Sequence, residues 1–420
     1  MQKSLWVLRQ IFGRIWVHVV GYAVLAVLAA VVAQLATPLV PSGWDVTLPD
    51  DAVYQVLDIL ASSMLVVTTF SLSIAVSAFA AASSAATPRS AEILQKDKTT
   101  QNVLATFLGA FLFSLLGVIG LQAGLYNEVG RFVLFVFACF VVLLVVVSLL
   151  RWISHLMTFG RMNDTLDRVE AVANEALCAR RKNPFLGCKP FDRSIPPSAR
   201  PITSTTIGYV QHIDMASLST CAKDMGSCFW IEALPGTFVH KNSVMLFVGG
   251  SEPTDKQVRK IRSTFTCAKT RTFDQDPNFG LVVLSEIASR ALSPAVNDPG
   301  SAIAVIGRLV RILSEWKTPV PGDVSYPRIH VRGLSVKDLI DDAFRPIARD
   351  GAALVEVQIH LQKALAALTL VSPETFAKDA HAMSAQAWER SRQIDLPDCD
   401  LAQIKVVSLS QQAQGPSLEP

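Results

Sequence analysis

Hydrophobic positions form four long runs in the first part of the chain and short periodic segments after it. Ile15 to Leu39, Val53 to Ala82, Val103 to Leu125 and Phe132 to Ile153 are almost free of charge. Each approaches or exceeds the roughly 20 apolar residues that a helix needs to cross a hydrocarbon core. The pattern predicts four transmembrane helices arranged as two hairpins. The first run is too long for the apolar region of a signal peptide, and Arg14 and His18 lie close against it, so it reads as an anchor.

The second run carries a file of hydroxyls. Within Ser62 to Ser84, SSMLVVTTFSLSIAVSAFAAASS, the residues Ser62, Thr69, Ser73, Ser77 and Ser84 fall within about 80° of one another at helical pitch. Met64, Leu65, Phe70, Leu72, Ile74 and Phe79 lie mostly away from that face. A narrow, uncharged polar face in a membrane helix has two uses. It can line a water-filled path, which makes these five residues pore-lining candidates. It can also admit a neighbouring helix, since small residues shorten the interhelix distance in lipid. Both uses stay open in the sequence. Asp58, toward the outer end of the same run, is either part of a functional path or an interfacial residue in contact with water.

Loop charges orient the runs. Lys3, Arg9 and Arg14 precede the first run, and the loop after it holds Asp45, Asp50 and Asp51 but no Lys or Arg. The second loop holds Arg89, Lys96 and Lys98, the third only Glu128 and Arg131, and Arg151, Arg161 and Arg168 mark the end of the fourth run. Basic residues favour the cytoplasmic side. Both termini are therefore expected in the cytoplasm.

Beyond Gly160 the pattern changes. Met162 to Arg181 places Leu166, Val169, Val172, Ala173 and Leu177 near helical spacing, an amphipathic helix expected to carry the fourth span into the cytoplasm. Lys182 to Pro201 is rich in Pro, Gly and basic residues and reads as a linker. Ile202 to Val248 reads as strands and turns, punctuated by Gly208, Gly226 and Pro235-Gly236. Its segment LPGTFVHKNSVMLFV is similar to the hairpin of lipoyl or biotinyl carriers. The turn His240-Lys241-Asn242 lacks the acidic or Met-Lys-Met setting of the modified lysine, so no carrier function follows.

Thr254 is a suitable N-cap for DKQVRKIRSTFTCAK. Asp276-Pro277 and Asp298-Pro299 each set a capping carboxylate before a proline at the first helical position. They predict a helical hairpin, Pro277 to Leu292 and Pro299 to Trp316. A strand-like YPRIHVRGL follows, then helices near Val336 to Arg349, Ala352 to Leu370 and Glu374 to Arg392, and a polar tail after Pro397 expected to fray.

The expected fold class is thus an α-helical membrane protein of four transmembrane helices in two hairpins. Its cytoplasmic α+β region contains a small β-domain and a helical bundle. The expected parts are a membrane domain at 1–158, a connecting helix and linker at 159–201, the β-domain at 202–250, the helical domain at 251–396 and a flexible tail at 397–420. Composition agrees, with 50% of residues hydrophobic and 17% charged, where soluble domains carry roughly 25% charged residues. A net charge of +3 gives no reason to expect nucleic acid as a partner. The 7 cysteines are odd in number and irregularly spaced, which argues for reduced thiols facing a cytoplasm.

One stretch carries a family resemblance. RTFDQDPNFGLVVLSEIASRALSPAVNDPGSA is similar to the signature of a bacterial family of predicted membrane proteins, domain of unknown function 2254. The matching features are Arg271-Thr272, Asp274 to Asp276-Pro277, Phe279-Gly280, Ala288, Arg290 to Pro294 and Asn297-Asp298-Pro299. TPRSAEIL with QNVLATFLGAFLFSLL, and FRPIARDGAA, resemble further segments, so nearly the whole chain is covered. The alanine- and serine-rich run before Pro88-Arg89 departs from the pattern. The resemblance implies four spans and a cytoplasmic C-terminal half, and the chain is expected in a bacterial inner membrane. It implies no established activity.

Asp274, Asp276, Arg290, Asn297 and Asp298 make the most suggestive polar cluster. Gathered at the mouth of the helical hairpin, they would hold a hard cation such as Mg²⁺ or Ca²⁺, or a small ligand, on the cytoplasmic side. In the structural alternative the two aspartates cap helices and Arg290 pairs with a carboxylate. Cys221, Cys228, His212 and His240 match no zinc spacing. No nucleophile elbow, P-loop or His-Glu-x-x-His motif is present. No catalytic residue or cofactor is assigned, and no enzyme activity is expected. Lys256, Arg259, Lys260, Arg262, Lys269 and Arg271 form either a surface for anionic headgroups or ligands, or a solvated face.

Two functions follow, beside an obligatory partnership with the lipid bilayer. One is a homo-oligomeric channel or transport-type protein regulated by its cytoplasmic half. The other is a non-conducting, membrane-anchored sensor or scaffold. The first is carried forward because the hydroxyl face is uncharged and sustained, and the soluble half is large enough to couple a ligand to the membrane.

Overall fold

The computed structural model describes residues 20, 21, 24, 50–95, 97–126, 128–191, 195–317 and 323–409. Apart from positions 20, 21 and 24, the first apolar run, Ile15 to Leu39, lies outside the described residues. The chain divides into two compact units that part between Thr165 and Leu166.

The first unit contains α1 (Asp50–Ala85), α2 (Pro88–Gln95), α3 (Lys98–Gln122) and α4 (Glu128–Leu156). Among the described residues, α1, α3 and α4 are long and apolar enough to cross a membrane, and they coincide with the second, third and fourth apolar runs. At 36 residues, α1 is roughly 54 Å long at the α-helical rise, beyond the ~30 Å of a hydrocarbon core. The middle helix is α3, which packs on both α1 and α4. Its buried Gly109, Ala110, Ser114, Gly117 and Gly120 allow this, because small residues bring helices together where lipid supplies no hydrophobic drive. A β-carbon on Gly117 would sit 2.9 Å from Leu57 Cδ1. Leu60, Met64 and Ala75 share one core cluster with Val103, Phe107 and Trp152. The second loop is partly helical, since α2 starts on Pro88 and buries Ser90, Ala91 and Leu94.

The second unit takes in most of α5 (Met162–Lys182), followed by β1 (Cys188–Pro190), β2 (Arg200–Thr203), β3 (Gly208–Ile213), α6 (Met215–Asp224), β4 (Phe229–Ile231), β5 (Phe238–Val239) and β6 (Val244–Val248). Then come α7 (Asp255–Ser263), β7 (Phe265–Ala268), α8 (Pro277–Ala291), α9 (Pro299–Ser314), β8 (Tyr326–Val331), α10 (Val336–Asp350), α11 (Val355–Val371), α12 (Pro373–Arg392) and α13 (Asp398–Val407).

Among the described residues two sheets form, a five-stranded one ordered β1-β8-β4-β6-β2 and a three-stranded one ordered β5-β3-β7. β8 runs parallel to β1 and β4, and the remaining pairs are antiparallel. Leu218 and Ala222 of α6 share a core with Phe229, Ile231, Leu246 and Ile329.

These sheets draw on more of the chain than the stretch expected to form them. β1 comes from the proline-rich segment read as a linker, and β8 from beyond the helical hairpin. The helix started by Thr254 stops at Ser263, and the β-branched, aromatic Phe265-Thr266-Cys267 pairs with β3 instead. The turn between β3 and β4 holds α6, launched by the Asp214 side chain accepting from Ser217 N.

The remaining helices form a bundle. α8 packs on α9 and α10, while α11 packs on α9, α12 and α13. The two Asp-Pro starts launch α8 and α9 as expected. Of the tail after Pro397 expected to fray, Asp398–Val407 forms α13 instead, with Ile404 fully buried, and residues 410–420 lie outside the described residues.

Candidate functional site

The run from Arg271 to Gly280 is the polar centre of the second unit. Asp276 ends an extended segment and caps α8, its Oδ1 accepting from Phe279 N at 3.3 Å. Both carboxylate oxygens are also engaged by Arg271, whose Nε and Nη2 donate to Oδ2 at 2.7 Å and Oδ1 at 2.9 Å. This two-pronged pairing is the strongest geometry available to a guanidinium and a carboxylate. The Arg271 guanidinium also lies 5.0 Å over the Phe279 ring.

A second guanidinium approaches from α5. Arg180, 4% exposed, donates Nη2 to the Gln275 carbonyl at 3.0 Å, and its Nη1 is buried without a hydrogen-bond partner among the described residues. Burial lowers Arg180 to about 10, with the Asp276 charge opposing the shift. Burial likewise raises the Asp276 carboxyl above its ordinary value, opposed by Arg271. Beside them, Asn278 Nδ2 donates to Asp342 Oδ2 at 2.7 Å, and burial raises Asp342 too.

The same run ties a sheet to the bundle. Gln275 Oε1 accepts from Ile213 N at 3.1 Å, and Gln211 Nε2 donates to the Thr270 carbonyl at 2.8 Å. Gly280 lies so near α5 that a β-carbon would collide with Ala173. Chemically, the arrangement is a buried ionic lock that joins α5, β3, α8 and α10.

The structure does not gather the expected cytoplasmic cluster into one site. Asp274 and Asp276 lie at the start of α8, while Arg290, Asn297 and Asp298 lie at its end. The intervening helix of 15 residues is about 22 Å long. Asp274, Arg290, Asn297 and Asp298 are exposed. Asp298 caps α9, accepting from Ser301 N at 3.0 Å and Ser301 Oγ at 2.6 Å, which holds its carboxyl below the usual range. Asn297 adopts a left-handed φ of 48°, a conformation asparagine tolerates better than most residues. Among the described residues, no group of three or more His, Cys, Asp or Glu side chains is placed to hold a metal ion.

Three of the six residues of the basic cluster are engaged within the protein. Lys260 pairs with Asp224 at 3.0 Å, Arg262 Nε donates to the Thr203 carbonyl at 2.7 Å, and the half-buried Arg271 pairs with Asp276, while Lys256, Arg259 and Lys269 are exposed.

In the first unit, Ser62, Thr69, Ser73, Ser77 and Ser84 all lie on the exposed side of α1. The face that packs inward is instead Leu57, Leu60, Met64, Ser71 and Ala75. Exposed Val66 and Phe70 interleave with the hydroxyls, and Asp58 is exposed as well. Ser62 Oγ donates to the Asp58 carbonyl at 2.9 Å, and Thr69 Oγ1 to the Val66 carbonyl at 2.9 Å.

Arg180 and Asp342 escaped the sequence reading. Arg180 stands beside Arg181 and Lys182 at a helix end, where basic residues ordinarily face solvent and favour the dipole. Only its partner nearly a hundred positions away distinguishes it.

Over residues 13–367 the chain matches the family described as "Predicted membrane protein (DUF2254)". An uncharacterised protein of Mycobacterium bovis and one of Mycobacterium tuberculosis are each 26% identical to it over 301 residues, covering 67% of this chain and 55% of theirs. The chain thus spans about half the length of the curated relatives it matches. No solved structure matches it.

Proposed function

The chain belongs to the predicted membrane protein family of domain of unknown function 2254, and on that premise we propose that it is a transport-type membrane protein whose copies meet through the outward face of α1. The observation that carries this reading is the placement of the five hydroxyl residues. They are turned away from their own protomer's core, so a path they line would form between copies. The second unit, braced by its Arg271–Asp276 lock, serves as the regulatory part. Loop charges support both termini lying in the cytoplasm, with the spans in a bacterial inner membrane. The reading assigns no catalytic step to the chain.

A specific observation favours a second reading, a non-conducting anchored sensor or scaffold. Ser62, Ser63, Thr68 and Thr69 each donate to carbonyls of their own helix, so those hydroxyls need no water. Ser73, Ser77 and Ala81 recur every fourth residue, a spacing suited to close helix contact in lipid.

Flux measured in vesicles reconstituted with the full chain separates the two. The transport reading expects conducting vesicles in which Ser73→Leu changes the flux while the assembly persists. Assembled but non-conducting wild-type protein leaves the scaffold reading in its place.

A further inference from the structure

Between the N-terminal turns of α3 and the C-terminal turns of α4 lies an open groove of about 990 Å³. Thr99, Asn102 and Thr106 line it from α3, and Ser148, Arg151 and Ser154 line it from α4. Each set recurs at spacings that keep it on one helix face. A polar strip therefore reaches roughly 10 Å along both helices, although α4 is otherwise the most apolar span. Leu144, Val147 and Leu150 continue the same groove as an apolar wall. All three are exposed on the outside of the bundle.

Arg151 is exposed, and among the described residues it has no hydrogen-bond or ion-pair partner. The carboxylate behind the groove does not neutralise it. Asp97 Oδ2 accepts from Thr100 N at 2.7 Å and Thr100 Oγ1 at 2.8 Å, and it faces His155 Nε2 at 3.0 Å. The His155 ring is fixed in turn, 4.8 Å from Phe159 and 5.9 Å from Trp152. The groove thus has a rigid back, one uncompensated guanidinium, amide and hydroxyl donors beside it, and an apolar extension open to the side.

We propose that this groove binds an anionic glycerophospholipid. Its phosphate sits on the Arg151 guanidinium, Asn102 and the Thr99 and Ser154 hydroxyls donate to headgroup oxygens, and an acyl chain lies along Leu144, Val147 and Leu150. A guanidinium fork matches phosphate geometry. The groove's size falls within the roughly 300–1,000 Å³ typical of ligand sites. A free anion would use the polar half alone, whereas an amphiphile uses both halves. The site involves no residue of α1 and stands whether or not the protein conducts.

The full chain purified in uncharged detergent tests this. Retained lipid is read by native mass spectrometry, and thermal unfolding is followed with added phosphatidylglycerol, phosphatidylcholine or inorganic phosphate. Wild type should retain phosphatidylglycerol over phosphatidylcholine and unfold at a higher temperature with it. Arg151→Gln should weaken retention about fivefold, the loss expected for one basic residue near a membrane surface, and Arg151→Lys should restore part of it. Asn102→Leu, which narrows the groove with Arg151 intact, should also weaken retention and decides the matter if Arg151→Gln does not fold. Equal retention of the two lipids, or retention unmoved by these substitutions, overturns the proposal. A thermal shift reproduced by inorganic phosphate alone also overturns it, marking a free-anion site.

Discussion

A β-carbon on Gly236 would lie 2.5 Å from Oδ2 of Asp276. The glycine has a φ of +94° and its N–H donates to the Val210 carbonyl at 2.8 Å, so the turn before β5 is seated directly on the carboxylate that caps α8. Gly236→Ala sets a methyl against that carboxylate and strains the backbone as well. Overpacking of this kind costs about 1–3 kcal/mol. The denaturant midpoint of the full chain, followed by tryptophan fluorescence, should fall accordingly. An unchanged midpoint would mean that the turn gives way without loss.

The two Asp-Pro starts should differ in weight. Removing Asp276 leaves Arg271 without its partner and Arg180 buried beside it, and breaking such a buried pair costs about 3–5 kcal/mol. Asp298 is exposed and acts only as a cap, so Asp298→Ala should cost about 0.5–2 kcal/mol. Equal losses in matched denaturation curves would contradict the burial difference between the two carboxylates.

The Asp298 loss should also depend on pH. Its hydrogen bonds from Ser301 depress the carboxyl in the folded state. A depressed acid contributes stability above its unfolded value, about 3.9, and that contribution disappears as pH falls through the folded value. Wild type and Asp298→Ala should therefore differ in melting temperature at neutral pH and converge in acid. A gap that persists in acid would point to a cause other than the ionised cap.

Local signals made much of this legible. Asp276-Pro277 and Asp298-Pro299 announce α8 and α9 because a cap and its proline act within four residues. Thr254 announces α7 for the same reason, and the second, third and fourth apolar runs announce α1, α3 and α4 by length and composition. What the sequence hid is non-local. β1 and β4 are three residues long and β5 two, too short to show alternation, and β8, the strand shared by β1 and β4, lies far along the chain from both. The polar cluster read around α8 failed as a single site because motif proximity ignores the helix between its halves. The groove residues were visible as Thr99, Asn102 and Thr106 against Ser148, Arg151 and Ser154. Nothing local said that the two faces meet.

Orientation rests on loop charge and can be read directly. A reporter active only outside the cytoplasm should be silent when fused after Leu409 and active when fused after Asp50. An active C-terminal fusion would reverse the assignment of sides, and with it the leaflet from which the α3–α4 groove draws its lipid.

The hydroxyl face of α1 admits the sharpest contrast. Ser71 and Ala75, 2% and 0% exposed, point into the bundle, while Ser73 and Ser77, each two positions further on, point out of it. In a background lacking Cys139 and the other native cysteines, thiols at positions 73 and 77 should react with small membrane-impermeant reagents if the face borders water. Thiols at positions 71 and 75 should stay inert in the same protein. Reaction needs thiolate, which forms in water and is suppressed in apolar surroundings. If copies instead pack this face closely, the outward thiols stay unreactive yet cross-link between copies under mild oxidation, and Ser73→Leu loosens the assembly by overfilling the contact. Silence in both assays would leave the hydroxyls facing lipid, satisfied by their own helix as Ser62 and Thr69 already are.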